Sequence, residues 1–183
     1  MKEETVVPTA VNSLDQDGLA AIFEEYAPAI FKYLLRLGVY PQEADQIVGD
    51  VFVRLLDKVA EGKGPNENLR AYLFQIAYHL VVDHAREGER TAPLEAALYV
   101  KEEVEPVQTF VEERLLLERL SNAMEHTLTE EQRNVIVLRF QEGFSLKETA
   151  EIIGTNVNAV KALQNRGINR LRQVMGRLNQ ELH

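Results

Sequence analysis

The sequence predicts an all-α fold, in which two small helical domains are joined by an acidic linker. Three observations carry this. Apolar residues recur at spacings of three and four along successive segments, and no stretch reads convincingly as a strand. The periodicity fails between residues 89 and 112, a segment rich in glutamate with two prolines. Beyond it, the stretch Phe144 to Arg172 carries the punctuation of a short helix, a glycine turn and a longer helix. The expected division is a disordered lead over 1–16, a first domain over 17–88, a linker over 89–112 and a second domain over 113–180.

The lead, MKEETVVPTAVNSLDQDG, has no basic segment followed by an apolar core, so it is not a signal peptide. Leu19 to Leu37 follows as a helix whose apolar face is Ile22, Phe23, Tyr26, Ile30, Leu34 and Leu37. Pro28 inside this run predicts a kink or a division. Gly38 and Pro41 mark the next boundary. Gln42 to Val59 is the second helix, with Ala44, Val48, Val51, Phe52, Leu55 and Val59 inward. Asp45, Gln46, Asp50, Arg54 and Asp57 face away, and periodicity alone makes that a solvated surface. Glu61 to Asn68, EGKGPNEN, is a loop. Leu69 to Arg86 is the third helix. Its Tyr72, Tyr78, His79 and His84 can either cover a small core or hold unstacked bases, and the residues alone favour packing.

In the second domain, Leu115, Leu116, Leu120, Ala123 and Met124 mark one amphipathic helix. Thr129 to Gln132 is a capping box opening a helix with Val135, Ile136, Leu138 and Phe140, which Gly143 ends. Ser145 and Glu148 form a second capping box. Ala150 and Ile153 are the apolar face of that short helix, and Gly154 terminates it. Asn156 caps the last helix, along which Val160, Gly167, Leu171, Val174 and Leu178 share a face. The second helix of such a unit usually lies in the DNA major groove. Asn158, Lys161, Asn165 and Arg166 offer the amides and cations that base edges and phosphates take up. A protein-binding helical hairpin is the plain alternative.

The net charge of −9 seems unsuited to DNA until it is divided. Residues 1–90 carry 9 basic and 15 acidic side chains, and residues 91–126 carry 3 and 8. Residues 127–183 carry 8 and 6, a net +2, so only the C-terminal piece suits a phosphate backbone. The acidic remainder weakens non-specific attachment and implies a partner that brings the chain to DNA. There are no cysteines, which excludes disulfides, thiolate zinc sites and cysteine nucleophiles and suits a reducing cytoplasm. His79 and His84 are five apart, off the spacing of a helical metal pair. No HExxH, Walker loop or GxSxG is present, so no catalytic residue, metal, cofactor or enzyme is expected, and no segment is apolar for long enough to insert in a membrane.

YAPAIFKYLLRLG, QEADQIVGDVFVRLLDKV, NLRAYLFQIAYHLVVDHAR, an acidic linker, then LTEEQRNVIVLRFQEGFSLKETAEIIGTNVNAVKALQNRGINRLR: in this order the chain resembles the extracytoplasmic-function (ECF) group of bacterial sigma-70 factors, from about residue 17 to 178. The resemblance implies a dissociable specificity subunit of core RNA polymerase. Region 2 would dock on the β′ clamp coiled coil through Asp45, Gln46, Asp50 and Arg54, reversing the plain reading of that face. It would capture the melted −10 strand with Lys63, Asn66, Asn68, Arg70, Tyr72, His79 and Arg86. Region 4 would dock on the β flap and read the −35 element with Asn156, Asn158, Lys161, Ala162, Asn165, Arg166 and Arg170. The acidic linker, with Glu102, Glu103 and Glu105, would thread towards the RNA exit channel. An anti-sigma factor is expected, and no added C-terminal sensory domain. Two features depart from the group's pattern. AREGER places Glu87 and Glu89 where an arginine run is common, and Ala162 and Leu163 stand where a Ser-Arg pair is common. The first keeps open a sigma-like decoy that initiates nothing. A helix-turn-helix regulator acting without polymerase is the other rival.

Overall fold

The computed structural model describes residues 16–65, 68–87 and 110–180, and every regular element among them is helical. The first three helices are α1 (Gln16–Arg36), α2 (Pro41–Ala60) and α3 (Leu69–Glu87). Then come α4 (Phe110–Thr127), α5 (Glu130–Ile136), a π turn over Val137–Gln141, α6 (Leu146–Ile153) and α7 (Val157–Gln180). The expected linker over 89–112 lies almost wholly outside the described residues, as does the lead except for its last residue.

Each helix begins and ends where its sequence demands. α1 runs through Pro28 without division, contrary to one of the two outcomes expected of that proline. It stops at Gly38, whose φ of 84° lets Gly38 N–H reach the Leu35 carbonyl and Val39 N–H reach Leu34. Pro41 opens α2 at a position where the missing N–H costs nothing. Asn68 caps α3, its Oδ1 accepting from Ala71 N–H at 3.0 Å. Both predicted capping boxes form, Thr129 with Gln132 and Ser145 with Glu148. Gly154 takes the left-handed conformation between α6 and α7 (φ 69°). Asn156 Oδ1 then accepts from Ala159 N–H at 2.9 Å.

α1, α2 and α3 pack through Ile30, Leu34, Ile47, Val51, Leu55 and Leu73, all fully buried. The C-terminal helices do not stand apart from them. α6 lies on α3, and one apolar core runs from α1–α3 into α4, α5 and α6. At its centre Tyr33, Phe74 and Phe144 stack in sequence, with ring centroids 5.2 and 5.0 Å apart. The Tyr33 hydroxyl donates to Asn134 Oδ1 across the junction at 2.9 Å. Burial pushes the Tyr33 phenol well above its ordinary pKa, so it remains a donor. A smaller cluster, Val135, Ala150 and Val160, ties α5, α6 and α7 together. α7 crosses α5 closely because Gly167 has no side chain: a Cβ there would sit 3.3 Å from Ile136 Cγ1.

The π turn corrects one expectation. Phe140, grouped with the apolar residues of its helix, is 57% exposed. The wider turn shifts the register after Val137, so Leu138 stays buried while Phe140 swings out.

Candidate nucleic-acid and polymerase surfaces

α7 leaves the helix-turn-helix with its outer face bare. Asn158, Lys161, Ala162 and Asn165 are exposed at spacings of three and four, so they line one stripe. Asn156, Arg166 and Arg170 are exposed beside it. Two of these are partly committed: Arg166 Nε donates to the Ala162 carbonyl at 3.2 Å, and Arg170 reaches the Thr127 carbonyl at 3.3 Å. Asn158, Lys161 and Asn165 thus offer two amides and an ammonium, a set suited to base edges and phosphates. The opposite face, through Val160 and Gly167, is buried against α5 and α6.

On α2, Asp45, Gln46, Asp50 and Arg54 are all exposed on the face opposite the core. Val53 and Leu56 are exposed among them, so this surface mixes charge with apolar area. It has the character of a docking face more than of a merely solvated one.

The residues expected to hold a melted strand are placed differently. Asn66 and the side chain of Arg86 lie outside the described residues, as do Glu102, Glu103 and Glu105 of the linker. Lys63 is exposed and pairs with Glu61 at 3.3 Å. His79 is exposed and Tyr72 half-buried. Asn68 and Arg70 are engaged by the C-terminal half. Asn68 Nδ2 donates to Glu148 Oε1 at 2.6 Å. Arg70 Nη2 donates to the Glu142 carbonyl at 2.8 Å and lies 3.3 Å from its carboxylate. The Arg70 guanidinium also sits over the Phe144 ring, 4.1 Å from the centroid. Gln75, on the same face of α3, donates to the Glu151 carbonyl at 2.9 Å.

Glu142 is the hinge of this junction, and nothing local in the sequence singled it out. Arg36 Nη1 holds its Oε1 at 2.7 Å. The carboxylate is 6% exposed. Burial pushes its pKa above the ordinary carboxylate value, while Arg36 and Arg70 pull it back. Glu148 behaves oppositely. Hydrogen bonds from the Ser145 side chain and backbone, with Asn68, hold its carboxyl below the ordinary value.

No helix among the described residues is long and apolar enough to cross a membrane, and no three His, Cys, Asp or Glu side chains among them converge as metal ligands.

Comparison with known proteins gives this geometry a context. Residues 22–91 match the family model of sigma-70 region 2, and residues 126–173 match that of sigma-70, region 4. Among curated relatives, the ECF RNA polymerase sigma factor BldN of Streptomyces coelicolor is 26% identical over 88% of this chain, which spans 61% of BldN's length. The ECF RNA polymerase sigma factor SigW of Bacillus subtilis is 28% identical, over 87% of this chain and 89% of its own. Two solved structures share the fold. CnrH, determined in complex with the cytosolic domain of CnrY, superposes with a TM-score of 0.67 at 22% identity, over 91% of this chain and 92% of CnrH. RpoE of Bartonella quintana, determined in complex with the anti-sigma factor NepR, gives 0.64 at 24%, over 86% and 96%.

Proposed function

Since the chain belongs to the sigma-70 family and carries regions 2 and 4 in order, we propose that it is an ECF-type sigma factor that directs core RNA polymerase to a two-part promoter. The observation that carries this is the pair of matched regions, over 22–91 and 126–173, on a chain whose recognition helix is bare. Sigma factors confer specificity on polymerase and are not themselves enzymes.

In this reading residues 17–88 and 113–180 are the two working units. The exposed face of α2, with Asp45, Gln46, Asp50 and Arg54, docks on the β′ clamp coiled coil. α7 enters the major groove of the −35 duplex, where Lys161 and Arg166 take phosphates and Asn158 and Asn165 take base edges. Ala162 stands where a thymine methyl can pack. The loop 61–68 and α3 hold bases of the −10 strand once it is unpaired. Binding the unpaired strand stabilises the melted state, so no cofactor is required. The likeness to RpoE, solved with NepR, supports an anti-sigma partner here too. A factor working on polymerase and chromosomal DNA acts in the cytoplasm.

Transcription in vitro tests this directly. Core polymerase is incubated with and without the protein on a pool of random promoter DNA, and the transcripts are sequenced. Transcripts sharing a spaced pair of upstream motifs are expected. Binding to core without any start selects the decoy, and binding to DNA without core selects the polymerase-independent regulator.

A further inference from the structure

Arg36 and Arg70 grip Glu142 from two sides, one guanidinium on each carboxylate oxygen, at 2.7 and 3.3 Å. The carboxylate is almost fully enclosed, yet each arginine keeps 36% of its side chain exposed. The geometry points to an anion site, and we propose that its second ligand is a backbone phosphate of the melted promoter strand. In the closed chain Glu142 stands in for that phosphate, so the C-terminal half shuts the strand-holding face of α3 until it is displaced. This rests on the reading of α3 as the strand-holding helix, and adds Arg36 and Glu142 to it.

Three features support it. Two non-bridging phosphate oxygens reproduce the bridging pattern of a carboxylate between two guanidiniums. The Arg70 guanidinium lies over Phe144 and within 5.2 Å of the Phe74 centroid, so its orientation is set by packing. The same docking engages Asn68 through Glu148 and Gln75 through the Glu151 carbonyl, which covers one continuous stretch of α3. A buried carboxylate between two arginines fixes register but returns little net stability after desolvation. The contact is therefore specific and releasable, which a polyanion competing for the same cations requires. The stripe on α7 stays bare throughout, so closure blocks strand capture and leaves duplex reading open.

The chain has no cysteine, so introduced pairs are unique. In the full-length protein, dyes at Asp57→Cys and Lys147→Cys report closure by energy transfer. Glu142→Ala should lower the transfer. Anisotropy of a fluorescein-labelled, random-sequence 20-nucleotide single strand reports access to α3. Glu142→Ala should bind it about ten-fold tighter, because the competent fraction rises. A short bismaleimide joining Gln75→Cys to Glu151→Cys should weaken binding by about ten-fold or more relative to the uncoupled pair. Adding Arg36→Gln to Glu142→Ala should abolish the gain and flatten the salt dependence by about one phosphate contact. Unchanged transfer in Glu142→Ala overturns the closure. Undiminished binding by the cross-linked chain overturns the covering of α3. Identical affinity and salt slope with and without Arg36 overturns the phosphate site. If Glu142→Ala opens the chain and no variant binds the strand, strand capture by α3 is wrong and closure stands.

Discussion

Helix α7 and the start of α3 are the two surfaces on which promoter DNA is expected, and they stand in opposite conditions. On α7, Asn158, Lys161, Ala162 and Asn165 face solvent. On α3, Asn68 and Arg70 are held by Glu148 and Glu142. The difference teaches that a cation's presence on a helix does not make it available. Arg70 has the chemistry for a phosphate, but in this arrangement it is spent on another part of the same chain. A surface for duplex DNA can be kept ready at all times, because the duplex exists before polymerase arrives. A surface for unpaired bases has no substrate until melting, and covering it meanwhile suppresses stray contacts.

The comparison breaks most severely if the junction is not one structure with the two cores. Phe74→Ala removes the ring between Tyr33 and Phe144 and should cost about 3–5 kcal/mol. Urea unfolding followed by probes in each half should show both midpoints falling together; two separated transitions would mean that the halves merely touch. Tyr33→Phe should cost about 1–3 kcal/mol by leaving the buried Asn134 Oδ1 without its donor, measured by the same unfolding. On the bare surface the signs are reversed. Asn165→Ala should leave stability within about 0.5 kcal/mol of wild type, yet lose about 1–3 kcal/mol of discrimination at one base pair in competition binding. Lys161→Ala should weaken all sequences alike and lower the salt slope by about one contact.

The smallest effect separates the two interfacial carboxylates. Ser145→Ala should cost about 1 kcal/mol through the lost cap on α6. Glu148 has its pKa lowered in the folded chain from 4.5, so its contribution is complete above that value and is lost as pH falls through the lower folded one. Acid unfolding followed by circular dichroism should therefore show a component below about pH 4.5. Glu148→Gln, which keeps the capping geometry, should remove it.

Most of the helical layout was legible because it is written locally. Ser145, Glu148, Gly154 and Asn156 act on backbone groups within four residues, and each does what its position requires. The exposed polar stripes of α2 and α7 follow from periodicity alone. What could not be read was long-range. Arg36 and Glu142 are 106 residues apart, and no spacing rule connects them. Tyr33 looked like one more residue on a helix face, yet it bridges to Asn134 across the molecule. Phe140 was misplaced for a different reason: hydrophobic periodicity assumes 3.6 residues per turn, and the π turn does not keep it.

That turn has a consequence for how the protein tolerates change in its length. A π turn is an α-helix carrying one residue too many, and Val137–Gln141 absorbs the surplus just before Glu142. Deleting a single residue there would restore ordinary pairing and rotate whatever follows by about 100°. Glu142 would leave its arginines and Phe140 would turn inward, although no other position had been altered. A substitution in this segment alters one side chain, whereas a one-codon deletion would re-aim the whole reading head.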